Sequence, residues 1–551
     1  MKLFIVLLTG AFMLATGTSD VFAKKKEKVQ TEAKSDTVRT ASKKRNTQYP
    51  RLFKNKRVVT KKGLITIHKI DDKLYFEFPK SLLGREFLMG SSISATSDNT
   101  SGLVGQTMTT PLHIRFAIQE DQVYMQNVTP VSRMDVYSNQ SDISKAVAKS
   151  NITPDMESFK IAAYNMDSTA VVFEVTKFFL ADNKRLPLFD QNSSSLEDEK
   201  YGQLELKAVL KKNLSSIRNF YVFDDNLEIN LDMSFYQSLL ASKKEVRGGN
   251  VRVKAVYSML LLPEETMVWR LGDPRLGYTF TKKQKISTEK DGTAFSYLQH
   301  KWNLLPADEE AYRRGDLVAP RKPVVFYIDS DFPEAWKKAI KEGVNWWNEA
   351  FKMAGFKDAV QTADFPANDT TFYAGNLKYS CIRYVPVNLS KTQSKVWVDP
   401  RSGEIINGTI FVGHDIAKTI ASQRFVQTAQ VDERMRGIQL SEEVLLEGIR
   451  LYVAREVGHC LGLADNASAS AAFSVESLRS PEFTRQNGIA SSVMDELPYN
   501  YIAQPQDGKA DFIQNKLGAY DLFAIQMGYM LVPDAKTPEE IREKIMRWGS
   551  M

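Results

Sequence analysis

Residues 455–466 read REVGHCLGLADN. They follow the frame H-E-x-x-H-x-x-G-x-x-H, in which a helix turns two imidazoles, one turn apart, towards a single zinc ion. In that frame the Glu takes a proton from metal-bound water, the Gly lets the chain turn, and the last residue is a third ligand. Glu456, His459 and Gly462 keep their places here, and Asp465 stands at the third-ligand place. A carboxylate oxygen can ligate zinc. Arg455 stands at the first-ligand place, and a guanidinium is cationic at any working pH with no lone pair to give. The frame therefore implies a zinc cofactor that His459 and Asp465 alone are poorly equipped to hold. The replacement suggests its own physics. The Arg455 guanidinium could stand near the metal's place, paired with Glu456 or Asp465 through a charge-assisted hydrogen bond. The other reading has Arg455 extending to solvent from a half-exposed helix face.

The elements that must position these groups come from periodicity. Ser441-Glu442-Glu443 opens a long helix through LLEGIRLYVAREVGHCLGL, and Gly462 can close it. Upstream, RKPVVFYID reads as a buried strand leading into DFPEAWKKAIKEGVNWWNEAFKMAGF. In that segment Trp336, Ile340, Val344, Trp347 and Phe351 recur every three or four residues, the apolar face of a helix. Asp331 is its expected cap and Gly355 its expected end. KYSCIRYVPV reads as a further strand, and KVWVDPRSGEIINGTIFVGHD as a hairpin turning at DPRSG. His414 lies on that hairpin, and nothing in the sequence aims it at the metal's place.

From about residue 63 to 300 the texture is different. LITIHKI, KLYFEFP, HIRFAIQ, QVYMQNV and VRVKAVYSMLLLP alternate at period two, which argues strands. Asp71-Asp72 and Glu120-Asp121 mark turns between them. His68, His113 and His300 are isolated in this part and read as structural or exposed. The expected fold class is α+β and multidomain: a mostly β N-terminal accessory region followed by an α/β domain.

At 551 residues the chain is too long for one compact core. Residues 1–23 have one cation, a short apolar run and the site Val21-Phe22-Ala23, the pattern of a signal peptide. No later run is long enough to span a bilayer, so the mature protein is expected in the periplasm or outside the cell. Residues 24–47 are almost free of apolar side chains and read as a disordered basic linker. The basic charge is concentrated here: residues 24–62 carry fifteen Lys/Arg against three Asp/Glu. The remainder is mildly acidic, which argues against nucleic-acid binding. Two cysteines, Cys381 and Cys460, make no disulfide framework and read as buried thiols, with a single bridge between them as the alternative.

Taken with its surroundings, the 455–466 segment resembles the large secreted zinc-dependent metallopeptidases of Gram-negative bacteria, a metzincin-type group. The resemblance rests on blocks in one order over residues 48–535: YPRLFKN, FEFPKSLLGREFL, GDPRLGYTF, WNEAFKMAGF, VDPRSGEI, SLRSPEFT, SSVMDELPYNYIAQPQDG and LGAYDLFAIQMGY. It implies a β-rich accessory region over 48–300, a metzincin-like metallopeptidase domain over 301–551, and a peptide or protein as substrate or ligand. By position it makes Glu456 the general base, His459 and Asp465 the second and third metal positions, and Met494 the apolar floor below the metal. It places the strand that pairs with a peptide at 408–414, through Gly408, Thr409, Ile410 and Phe411. The Arg at the first ligand position, and a chain that ends soon after LGAYDLFAIQMGY, imply a relative without catalysis. An active zinc endopeptidase with an unusual ligand set, and a non-enzymatic envelope binding or scaffold protein, are the alternatives.

Overall fold

A computed structural model describes residues 48–548, apart from 99–101, 103, 106, 130–133, 137–140, 190–195, 199, 201, 287–293, 370–371, 388–391, 438, 509 and 536. The expected signal peptide and basic linker lie outside the described residues.

Among the described residues, thirteen strands between Val58 and Leu261 pair antiparallel in one sheet, twelve of them along a single path and Ser216–Val222 beside it on Asn226–Ala241. The period-two runs supply them: Thr66–Ile70, Lys73–Pro79, Leu112–Gln119 and the 18-residue strand Lys244–Leu261. The two expected acidic turns are there, with Asp71 and Glu120 at φ 54°. A sheet this long curls over its apolar face. The enclosed core is strongly aromatic, with Phe78 against Phe116 at 4.8 Å between ring centres.

The second core gathers around a five-stranded sheet. Its order is Val360–Asp364, Val324–Ile328, Ser380–Val385, Ile405–Gly413, Thr392–Val398. The first four run parallel and the last is antiparallel. Pro400 to Gly403 turn the expected hairpin. The strand Ile405–Gly413 therefore lies inside the sheet: Ile410 pairs with Ile382 on one side and Ser394 on the other. This corrects the expectation that Gly408–Phe411 form the outer strand. That place belongs to Thr392–Val398, and no described strand pairs with its outer side.

The helix on this sheet buries the expected face, with Trp336, Ile340, Val344, Trp347 and Phe351 all in the core. It is two consecutive helices, Glu334–Asn345 and Trp347–Met353. Pro333 occupies the N-cap and no side chain caps it, so Asp331 is not the cap. Gly355, at φ 86°, ends the pair as expected. Leu276 and Tyr278, from the part read as β-rich accessory region, pack in this second core, and the Tyr278 hydroxyl donates to the Ala524 carbonyl. Trp397 docks the two regions, its ring against Gly90 where a Cβ would stand 2.9 Å away. Both cysteines are buried and unbridged. No described helix is long and apolar enough to cross a membrane.

Candidate functional site

Arg455, Glu456 and His459 sit in the last two turns of the helix Glu442–Cys460, called here the site helix. Ser441 caps its start, its side chain accepting from the Val444 amide as expected. At its other end two carbonyls that a helix leaves unsatisfied find donors. The Trp302 indole donates to Cys460 O and the Tyr529 hydroxyl to Leu461 O, each at 2.8 Å. Gly462 follows at φ 95°, a conformation that side chains resist. Its Cα faces the His300 carbonyl so closely that a Cβ has no room.

The reversal after Gly462 brings Asp465 back over the helix. Arg455 Nη2 donates to Asp465 Oδ1 at 2.7 Å, and His459 Nε2 lies 3.3 Å from the same oxygen. His459 Nδ1 is 2.9 Å from Leu463 O, so that nitrogen carries the proton. Of the two partners open to Arg455, the guanidinium takes Asp465. Its Nε is buried and meets no acceptor among the described residues. Glu456 is buried and turns the other way: the Thr392 hydroxyl donates to its Oε1 at 2.9 Å. Thr392 begins the outer strand, so this bond ties the site helix to it. No motif marked Thr392 in the sequence; it became visible only when strand and helix met.

Met494 is fully buried, its sulfur against the site helix at Gly458 beside the Trp347 ring. Trp347 Nε1 in turn donates to Ala454 O at 2.9 Å. The Gly458 position has no space for a methyl group. Gly458→Ala is expected to cost about 1–3 kcal/mol by overpacking, read as a lower denaturation midpoint with unchanged slope.

A cleft of about 1140 Å³ opens above these groups. One wall is the outer strand, whose Thr392, Ser394, Val396 and Val398 face inwards at period two. The floor carries Glu456 and His459, and Phe280 and Phe295 stand on the rim, both more than half exposed. His300 also lines it, between the hydroxyls of Thr279 and Thr281 at 3.0 and 2.9 Å. Burial holds its ring neutral and lowers its pKa to about 4. The folded value lies below the usual 6.5, so this contribution to stability is full above pH 6.5 and fades as pH falls towards 4. His300→Gln is expected to remove a loss of about 1–2 kcal/mol over that interval, measured by urea titration at several pH values.

His414 lies away from this site. Its ring stacks on Trp336 and its Nδ1 meets the Tyr384 hydroxyl. His68 and His113 are paired with Glu77 and Glu86, each at 2.9 Å, within the β-rich region.

Among the described residues, no three His, Cys, Asp or Glu side chains converge in a way that could hold a metal ion. At the site itself the available donors are His459 and Asp465, and Asp465 is already gripped by Arg455. The donor set does not suit zinc. Residues 437–551, which contain Arg455, Glu456, His459, Asp465 and Met494, match a family model described as Met-zincin. The C-terminal part of the chain is metzincin-like. Zinc is the metal of that family. Residues 105–307 and 47–96 match two further families, each described as a domain of unknown function (DUF5117 and DUF5118). No curated protein and no solved structure matches the chain.

Proposed function

We propose that this chain is a metallopeptidase-like protein, exported by its signal peptide, that has lost hydrolysis and binds an extended polypeptide in its cleft. The single observation that carries the loss is the 2.7 Å bond from Arg455 to Asp465. It gives the third-ligand carboxylate to a fixed organic cation, which cannot acidify water or polarise a carbonyl as a Lewis acid does. Binding is supported by the unpaired outer side of Thr392–Val398, which offers backbone groups for strand addition beside side chains that alternate into the cleft. The polypeptide thus pairs with Thr392–Val398 rather than with Gly408–Phe411. Glu456 and His459 stay in the floor without a metal between them.

The test is metal content and turnover together. The purified full chain, incubated with one equivalent of zinc and desalted, is expected to retain well under one zinc per chain and to leave a mixed peptide library intact. One tightly held zinc per chain, with cleavage abolished by Glu456→Ala, would establish the active endopeptidase instead.

A further inference from the structure

Glu456 is only 8% exposed, yet its one hydrogen bond comes from a neutral hydroxyl, that of Thr392. Among the described residues it makes no ion pair, and no donor meets its Oε2. Oε2 stays open to the cleft, where only solvent meets it until a cation or a further donor arrives. The neighbouring cations are committed elsewhere. Arg455 is paired with Asp465, His300 is held neutral, and Lys282 lies 3.8 Å above the Phe295 ring. His113, at the far wall, is engaged by Glu86. Among the described residues, the cleft floor therefore presents a carboxylate oxygen with no cation on it, reachable from a space lined by the outer strand and the exposed ring of Phe280.

We propose that Glu456 is a specificity residue for a cationic side chain, so that the cleft selects an extended segment bearing lysine or arginine. This rests on the polypeptide-binding reading above. The ammonium or guanidinium donates to Oε2 as a charge-assisted bond. Its methylene stem lies along the apolar rim, where such stems pack well. The carboxylate that serves as proton acceptor in an active metzincin site is, in this chain, the acceptor for the ligand's charge.

The experiment uses the full chain and fluorescein-labelled extended peptides that differ at one central residue: lysine, arginine, norleucine or glutamate. Norleucine keeps lysine's stem and removes its charge. Lysine and arginine peptides are expected to bind at least about tenfold tighter than norleucine in an anisotropy titration, with glutamate weakest. Glu456→Gln, checked for an unchanged melting temperature, is expected to erase that advantage while norleucine affinity holds. As a measurement needing no variant, the lysine advantage should shrink from about 0.05 M to about 0.5 M salt, with norleucine binding unaffected. Equal binding of lysine and norleucine, or a lysine preference that survives in Glu456→Gln, overturns the proposal while leaving polypeptide binding intact. Failure of every peptide to bind overturns the polypeptide-binding reading together with it.

Discussion

Arg455→His is expected to take up one zinc per chain and to hold it far more tightly than the natural sequence does. The substitution removes the guanidinium that holds Asp465 and sets an imidazole one turn before His459 on the same helix face. His459 Nε2 already points at Asp465 Oδ1, 3.3 Å away, and its Nδ1 is engaged by the Leu463 carbonyl. That second bond is the orienting contact that metal-bound histidines normally have. Three donors would then converge where two now meet a cation. Affinity for zinc is expected to rise by at least about a thousandfold, and zinc at a thousand times its dissociation constant would stabilise the fold by about 4 kcal/mol. Mass spectrometry of bound metal and a zinc-dependent melting temperature read this directly. Arg455→Lys is the control: it keeps a cation and gives no ligand, so its melting temperature should ignore zinc. Equal zinc uptake by the natural chain and by Arg455→His would end the view that Arg455 is what keeps the metal out.

Asp521→Ala is expected to be among the most destabilising single changes near the site. Asp521 is fully buried at the start of the helix Ala519–Tyr529. Its Oδ1 accepts from the Ser492 hydroxyl at 2.5 Å, and its Oδ2 from the amides of Val493 and Gly518, each at 2.8 Å. Ser492 Oγ then accepts from the Met494 amide at 3.0 Å. One carboxylate thus fixes the turn that places Met494 under the site helix. Alanine leaves a hydroxyl and two amides buried without an acceptor, at about 1–3 kcal/mol for each orphaned group before relaxation. A loss of about 3–5 kcal/mol is expected in urea unfolding, with broadening of the Met494 methyl resonance. Asp521→Asn keeps the shape and one acceptor, so it should lose less than half as much. A loss below about 1 kcal/mol for Asp521→Ala would mean that the turn is held by packing alone.

The local grammar was legible without coordinates because it depends on neighbours in the chain. Ser441 capping the site helix, the apolar stripe from Trp336 to Phe351, the acidic turns at Asp71 and Glu120, and the hairpin at Pro400 all follow from spacing and turn chemistry. The N-cap before Glu334 is Pro333, not Asp331. An Asp two residues before a proline is a plausible cap by type, but the cap position falls on the proline itself. Asp521 carried a faint signal, a single carboxylate in the first turn of the otherwise apolar LGAYDLFAIQMGY. Gly518 belongs to the same run, but Ser492 and Val493 come from another segment, so the hold of Asp521 on that turn could not be read from the run alone.

The misplaced outer strand shows where such reading stops. Ile405–Gly413 and Thr392–Val398 are the two arms of one hairpin; the polar start of TQSKVWV against the apolar IINGTIFVG hints at which arm lies outside, but the turn itself does not say which gains a second neighbour. That depends on Ser380–Val385 choosing one side of the hairpin, a pairing between segments some twenty residues apart.

What the sequence determined by itself was the chemistry of the helix: Arg455, a side chain without a lone pair, stands one turn before His459 on the same face, whatever the fold does around it. Only the tertiary structure decided what that residue holds and what its neighbours face. The reversal at Gly462 swings Asp465 onto Arg455, and the hairpin delivers Thr392 to Glu456. Both contacts join groups whose distance is set by backbone turns and sheet order rather than by the periodicity of one helix.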